Sequence, residues 1–126
     1  MACSYRDLIA WQKAVHFVSA IYRITASFPG DERYGLVSQL RRAAVSVPSN
    51  IAEGQGRLTE GEFRQFLGHA RGSLFEVETQ LEIAHDIGYL NEQQLACTRR
   101  QLTDVAKLVN ALLNSDLSRK AVSSRN

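Results

Sequence analysis

The sequence is poor in cysteine and proline and has no long hydrophobic run. Of its 126 residues, two are Cys and two are Pro. Cys3 and Cys97 have neither a metal-binding nor a redox spacing, so we expect reduced thiols and no disulfide framework. No apolar stretch approaches the ~20 residues of a membrane span, and the N-terminal residues show no signal-peptide pattern. These scarcities predict a cytoplasmic protein with no membrane partner.

Composition and charge are those of a single globular domain. Hydrophobic residues make up 44% of the chain and charged residues 22%, which excludes intrinsic disorder. The formal net charge of +2 permits an anionic partner without requiring one. Arg far outnumbers Lys among the 15 basic residues, and Arg is suited to bidentate contacts with phosphate or carboxylate. A genome rich in G and C explains the same bias equally well.

The first helical segment has a wide apolar face. It is expected over about Asp7–Ser27, and its two adjacent heptad seams are more than one partner helix covers. Pro29 and Gly30 end it, and Asp31 is expected to cap the next helix. The seams are Leu8, Trp11, Val15, Val18, Tyr22 and Thr25, and Ala10, Ala14, Phe17, Ile21, Ile24 and Phe28.

The second helical segment contains a proline. It is expected over about Glu32–Ala52 or a little beyond, and Pro48 removes the hydrogen bond to the carbonyl of Ala44. Because the apolar stripe stays in phase across Pro48, we favour a kinked helix. The alternative is a break and restart, since Asn50 and Glu53 have the spacing of a capping box.

Opposite the apolar stripe of this segment lies a polar face built from poor helix formers. Short Ser and Asn side chains stand where an ordinary solvated face has Lys and Glu, at a cost in helix stability. This composition predicts a surface that contacts a partner. The face consists of Gln39, Arg42, Ser46, Ser49, Asn50, Glu53 and Arg57.

Capping boxes open the two remaining helices. Thr59 and Glu62 open the third, which extends to about Ile87, and Asn91 with Gln94 opens the fourth. Each helix has its own heptad seam, so each has one apolar face to bury. The seams are Phe63, Leu67, Ala70, Leu74, Val77, Leu81 and Ala84, and Leu95, Thr98, Leu102, Val105, Val109 and Leu112.

Four helices joined by short turns, with no strand-like alternation, define the expected architecture. We predict an all-α, antiparallel up-down-up-down four-helix bundle with a proline-kinked second helix. The bundle is expected over residues 1–116, followed by a flexible C-terminal tail over residues 117–126.

Signals for catalysis and metal binding are weak. The pair Glu82 and His85 has no second copy, as a di-iron bundle requires, so no metal site is expected. The three histidines are scattered, and no Ser or Cys lies in a nucleophile elbow. The run Gly54–Arg57 lacks the strand and Lys-Ser/Thr pair of a phosphate loop and is interpreted as a helix terminator. We expect no enzyme, no cofactor and no small-molecule substrate.

Glycines inside the third helix favour a contact surface. Gly68 and Gly72 each cost about 1 kcal/mol relative to Ala, and they share a face with Gly61. Phe75 lies near this face and off the heptad seam. Close approach of another helix, a ligand or a neighbouring subunit accounts for both observations. Drift on a solvent-exposed face is the alternative.

Arginines cluster on the two central helices. They form either a phosphate-binding strip or ordinary ion pairs with the nearly as numerous glutamates around them, among which are Glu53, Glu76 and Glu78. The residues alone favour ion pairing. The five are Arg41, Arg42, Arg57, Arg64 and Arg71.

Several motifs along the chain match those of a known family. They are Asp7-Leu8-x-x-Trp11-Gln12-Lys13-Ala14, Phe28-Pro29, Tyr34-Gly35-Leu36, the run from Gln39 to Gly54, Glu62-Phe63-x-x-Phe66-Leu67 and Ala70-x-Gly72-Ser73-x-x-Glu76. With these motifs the chain resembles, up to about Leu113, the four-helix-bundle proteins encoded in 23S rRNA intervening sequences. The resemblance implies an antiparallel bundle assembled into a ring-shaped homopentamer. A similar protein, the accessory protein of diversity-generating retroelements, binds nucleic acid through a basic surface.

Two functional hypotheses follow. The first is a non-enzymatic homo-oligomer that binds RNA or another nucleic acid, chiefly through Arg42, Asn50, Glu53 and Arg57, with the other three arginines as electrostatic support. The second is a structural assembly or protein-interaction module whose polar face is an intersubunit seam. The motif that either hypothesis uses comprises Gln39, Ser46, Asn50, Glu53, Ser73 and Glu76.

Overall fold

The computed structural model describes residues 4–125, with side chains for residues 4–115. Within that part of the chain all regular structure is helical, and no strand occurs. This confirms the predicted all-α class with four helices. The tail expected over residues 117–126 lies outside the described side chains. The α-helices are α1 (Ile9–Thr25), α2 (Leu36–Gln55), α3 (Glu60–Asp86) and α4 (Glu92–Arg125), and 3-10 turns at Tyr5–Asp7 and Gly30–Glu32 precede α1 and α2.

Each helix packs against two others around one apolar core. α1 and α3 both contact α2 and α4, and among the described residues no close backbone contact joins α1 to α3 or α2 to α4. The predicted seams of α2, α3 and α4 supply most of the core, with Phe63 and Leu112 half-buried at its edge. On α1 the seam that contains Phe17 and Ile21 is buried, whereas most of the seam that contains Trp11 is half-exposed. No helix in the described part of the chain is long and apolar enough to cross a membrane.

The most extensive contact is that of α2 with α3. Gln39 pairs with Gln80 and Ser46 with Ser73, so residues later in α2 contact residues earlier in α3. Gly54 is buried in this contact, and a Cβ there would lie 2.8 Å from Cβ of Phe66. Gly54 therefore has a role in close helix packing that the sequence analysis did not assign to it, while the helix does end within the run Gly54–Arg57, as predicted. The helix ends at Gln55, with Gly56 as its C-cap.

The start of α2 differs from the prediction. Asp31 belongs to a 3-10 turn, and Gly35 occupies the N-cap position. The cap is supplied instead by Glu32, whose Oε1 accepts a hydrogen bond from the N–H of Leu36 at 3.1 Å. This bond, together with one from the hydroxyl of Tyr89 at 2.8 Å, holds the pKa of the Glu32 carboxyl below its ordinary value. A carboxylate at the N-terminus of α2 also interacts favourably with the positive end of the helix dipole.

Most of the other helix boundaries follow the predicted caps. Thr59 accepts from the N–H of Glu62 at 3.1 Å, and Asn91 and Gln94 form a reciprocal capping box. Gly88 follows α3 with φ of 90°, a backbone conformation that favours glycine. α2 is continuous and Pro48 lies buried within it, so the helix does not restart at Asn50.

Candidate nucleic-acid interface

Three grooves between neighbouring helices contain most of the predicted site residues. The α1–α2 groove, of about 590 Å³, is lined by Tyr22, Arg33, Tyr34, Val37, Ser38, Arg41, Arg42, Val45 and Ser46. The α2–α3 groove, of about 470 Å³, is lined by Gln39, Arg42, Ala43, Ser46, Ser73 and Glu76. The α3–α4 groove, of about 630 Å³, is lined by Gly61, Arg64, Gln65, Gly68, Arg71, Asn110, Leu113 and Asn114.

The α2–α3 groove brings most of the predicted polar motif together. The hydroxyls of Ser46 and Ser73 are 2.5 Å apart, and Ser46 Oγ also lies 2.7 Å from the carbonyl oxygen of Ala43. Nearer the start of α2, Gln80 donates a 3.4 Å hydrogen bond to Oε1 of Gln39. These short side chains therefore meet much of their hydrogen-bonding capacity within the chain.

The remaining motif residues on α2 are used locally. Nδ2 of Asn50 donates a hydrogen bond to the carbonyl of Ser46 at 2.7 Å. Asn50 lies two residues after Pro48, which has no backbone N–H to donate. Glu53 forms an i,i+4 ion pair with Arg57 at 3.1 Å. The Arg57 guanidinium also lies 4.7 Å from the ring centroid of Phe66. Arg57 thus spans the turn between α2 and α3, and part of its charge is already matched.

Arg41 ties α2 to the end of α1. Its Nε donates to Oγ1 of Thr25 at 2.9 Å, and its Nη2 donates to the carbonyl of Tyr22 at 3.3 Å. The same guanidinium lies 4.4 Å from the ring centroid of Tyr22. A cation at the C-terminal end of α1 matches the helix dipole there. Its guanidinium plane is therefore held in one orientation.

Arg42 has a different environment from Arg41. It is exposed and lines both the α1–α2 and the α2–α3 groove. With the residues whose side chains are described it makes neither a hydrogen bond nor an ion pair. Its charge is accordingly available to a ligand.

The five predicted arginines do not form one strip. Arg41 and Arg42 border the α1–α2 groove, Arg57 lies at the turn after α2, and Arg64 and Arg71 line the α3–α4 groove. The ion pairing expected of them holds for Arg57, but neither Arg41, Arg42 nor Arg71 pairs with a carboxylate in the described side chains. Each of these three arginines lines a groove, and although Arg42 shares the α2–α3 groove with Glu76, the two side chains form no ion pair.

Three residues that the sequence analysis did not select also belong to these grooves or their walls. Arg33 and Tyr34 line the α1–α2 groove from the turn before α2. An adjacent basic and aromatic residue in a turn was the available signal. Gln80 is buried against α2, and its spacing from Val77 and Ala84 places it on the seam side of α3.

The Glu82 and His85 pair is used in contacts between α3 and α4. Glu82 forms an ion pair with Arg99, and Nε2 of His85 lies 3.0 Å from Oε1 of Glu92. Among the described residues no group of three or more His, Cys, Asp or Glu side chains has the arrangement of a metal site.

Comparison with known proteins identifies the family. The model of the 23S rRNA-intervening sequence proteins matches residues 6–111. The chain belongs to this family. The match confirms the resemblance that the motifs indicated.

A solved structure resembles this intervening-sequence protein in fold. It is a protein of unknown function from the S23 ribosomal protein family of Bacteroides thetaiotaomicron, with a TM-score of 0.75 at 20% identity. The likeness covers 83% of this chain and 98% of that one. At this identity it supports the helical fold and nothing about activity. No protein of curated function matches the sequence.

Proposed function

We propose that this intervening-sequence protein is a cytoplasmic, non-enzymatic homo-oligomer that binds RNA or another nucleic acid. The proposal includes an antiparallel up-down-up-down order of the four helices and a kink at Pro48. The antiparallel order is supported by the pairing of later residues of α2 with earlier residues of α3. The kink is supported by Pro48, which has no backbone N–H to donate. The observation that carries the functional proposal is the unmatched charge of Arg42.

The α1–α2 groove gives that charge an electrostatic context. Arg33, Arg41 and Arg42 line it, and none of its lining residues is Asp or Glu. Contacts between basic side chains and phosphates supply much of the affinity of proteins for nucleic acids. Arg64 and Arg71 in the α3–α4 groove extend the basic surface to a second side of the bundle. The family's name links these proteins to ribosomal RNA genes, which agrees with RNA as the anion.

The outward face of α3 supports self-association. Apart from the backbone of their own helix, Gly61, Gly68 and Gly72 have no described atom within 4 Å of the position that a Cβ would take, so packing among the described residues does not account for them. On the same face Phe75 is 61% exposed and Ile83 is 47% exposed. A second copy packed there would cover these side chains. If the contact joins two different surfaces, its repetition forms a ring when the rotation between subunits closes, and the resemblance implies a ring of five subunits.

Sedimentation with and without a structured RNA, across a salt series, tests the proposal. We expect a discrete oligomer that shifts onto RNA with a salt-dependent affinity. Arg42→Ala should weaken binding and lower the salt slope by about 0.9 per lost phosphate contact. Arg57→Ala should have a smaller effect, because Glu53 and Phe66 already engage that side chain. Arg100→Ala, an exposed position on α4, is the matched control for loss of one positive charge.

The same measurement addresses the alternative function, a structural assembly module. The exposed apolar side chains on α3 favour that function as well. A discrete oligomer that ignores RNA would replace the nucleic-acid proposal by the assembly module. Full affinity and an unchanged salt slope in Arg42→Ala would remove Arg42 from the site, and a monomer would refute self-association.

A further inference from the structure

We propose that the α1–α2 groove binds unpaired nucleotides of single-stranded RNA. Bases stack on Tyr34 and on the Tyr22–Arg41 pair, while Arg33 and Arg42 hold phosphates. This inference rests on the proposed nucleic-acid function and narrows it to one groove and to one form of the ligand.

The lining of the α1–α2 groove is suited to a ligand that is both anionic and flat. Its charged side chains are all arginines, and the others are Tyr, Val and Ser. Three apolar or aromatic side chains stand open to solvent at its wall, with Tyr34 87%, Tyr22 42% and Val45 39% exposed. A small inorganic anion would leave these surfaces uncovered, whereas a nucleotide covers them with its base and matches the arginines with its phosphate.

Each tyrosine of the groove is paired with an arginine. The Arg33 guanidinium lies 5.5 Å from the ring centroid of Tyr34, and that of Arg41 lies 4.4 Å from the ring centroid of Tyr22. Arg41 is further fixed by its bonds to Thr25 and to the Tyr22 carbonyl. Tyrosine rings and guanidinium planes are the surfaces on which proteins stack unpaired bases. The groove therefore offers two such surfaces, one at the turn and one at the end of α1.

The acidic residues near the groove are directed elsewhere. Asp31 and Glu32 precede Arg33 in the same turn but do not line the groove. Glu32 is occupied on both oxygens, by the N–H of Leu36 and the hydroxyl of Tyr89. Glu76 lies in the α2–α3 groove, which Arg42 also lines, but forms no ion pair with Arg42. The positive charge of Arg33 and Arg42 is therefore not cancelled at the wall of the α1–α2 groove.

The exposed rings favour single strands over duplex. In an A-form helix the bases are stacked on each other and the deep major groove admits no side chain, so a duplex presents mainly phosphates and ribose. Such a ligand would use Arg42 and leave Tyr34 uncovered. Unpaired nucleotides can use both, and base stacking on an aromatic ring contributes about 1–3 kcal/mol per base. We therefore expect stronger binding of a single strand than of the duplex that contains it.

Replacement of Tyr34 tests the inference directly. The probes are a short single-stranded RNA oligonucleotide of mixed sequence and the same strand annealed to its complement, with affinities measured by fluorescence anisotropy. Tyr34→Leu should weaken single-strand binding about fivefold or more, with an unchanged salt slope and no effect on the duplex. Tyr34→Phe keeps the ring and should retain the affinity. Leu58→Ala removes an apolar side chain that is 98% exposed outside the groove, and is the surface control.

The outcomes separate this inference from the proposed function. If Arg42→Ala weakens binding but Tyr34→Leu does not, the nucleic-acid function stands and the stacking groove is refuted. If Tyr34→Leu lowers the mass of the oligomer without changing RNA affinity, the groove holds a second copy of the chain and the inference is wrong. If the wild-type protein binds neither probe, the proposed function itself fails.

Discussion

Two grooves share Arg42 and Ser46 as a common wall and yet leave very different surfaces to a partner. On the α3 side, Ser46 meets Ser73, Gln39 meets Gln80, and the carboxylate of Glu76 lies in the same groove as Arg42. On the α1 side the lining carries three arginines and two exposed tyrosines and no carboxylate.

The difference shows that a polar surface is not by itself a binding surface. Short side chains such as Ser can reach a neighbouring helix of the same bundle, and in the α2–α3 groove they do so. Arg33 and Tyr34 lie in the turn before α2, where Tyr34 is 87% exposed and the Arg33 guanidinium lies 5.5 Å from its ring centroid. The α2–α3 groove is thus a seam inside one chain, whereas in the α1–α2 groove the Arg42 guanidinium and the exposed tyrosine rings stay available to a partner.

The largest effect should come from Gly54, which sets the spacing of α2 and α3. In Gly54→Ala the new Cβ would approach the Cβ of Phe66 to 2.8 Å, so the helices must separate. We expect a loss of about 1–3 kcal/mol in the free energy of unfolding. RNA affinity of the folded protein should change little, because the α1–α2 groove lies on the other side of α2. Urea denaturation and anisotropy measure the two quantities.

Gly68→Ala is the matched control on α3. Outside the backbone of its own helix, no described atom lies within 4 Å of the position of its Cβ, and Ala is the better helix former, so stability should rise by about 0.5–1 kcal/mol. If the outward face of α3 contacts another subunit closely, the same substitution should also reduce the oligomer mass. Equal destabilisation by both substitutions would contradict the packing role assigned to Gly54.

A smaller effect is expected from the hydroxyl pair in the α2–α3 groove. Ser46→Ala leaves Ser73 without its partner across the groove and should cost about 0.5–1.5 kcal/mol of stability. In a double-mutant cycle with Ser73→Ala the two losses should be less than additive, since either substitution breaks the same bond. RNA affinity of Ser73→Ala should match wild type, because Ser73 lines the α2–α3 groove and not the α1–α2 groove. A loss of affinity comparable to that in Arg42→Ala would show that this groove, too, contacts RNA.

The sequence predicted the inside of this fold better than its surface. Heptad spacing identified the buried faces of α2, α3 and α4, and the boxes at Thr59 and Asn91 identified two helix starts, because both signals are local. Which helix borders a given polar residue depends on packing, which periodicity does not encode. Hence the sequence left open whether the arginines form one strip or ion pairs and favoured ion pairs, whereas Arg41, Arg42 and Arg71 pair with no carboxylate in the described side chains. The packing of Gly54 against Phe66 and the Arg33–Tyr34 pair were missed.

The smallest expected effect concerns Glu32, the carboxylate closest in sequence to the α1–α2 groove. Its folded pKa is depressed, first by the N–H of Leu36 and then by the hydroxyl of Tyr89, so its ionised form adds stability. That stability is fully present above the ordinary pKa of 4.5 and is lost as the pH falls through the folded value. Tyr89→Phe keeps the ring that packs on Phe28 at 5.3 Å and removes the second of these bonds.

In Tyr89→Phe the urea midpoint should therefore fall less steeply on acidification than in wild type, while the contribution of Leu36 persists. At alkaline pH the stability changes in the opposite direction, because a rise in pH now lowers it. The bond to Glu32 raises the pKa of Tyr89, so the stability that its neutral form adds is lost as the pH rises through that raised value. Tyr89→Phe, which has no hydroxyl to ionise, should lack that alkaline loss. Superimposable midpoints of variant and wild type at both ends of the pH range would show that the Glu32 carboxylate is not held by Tyr89.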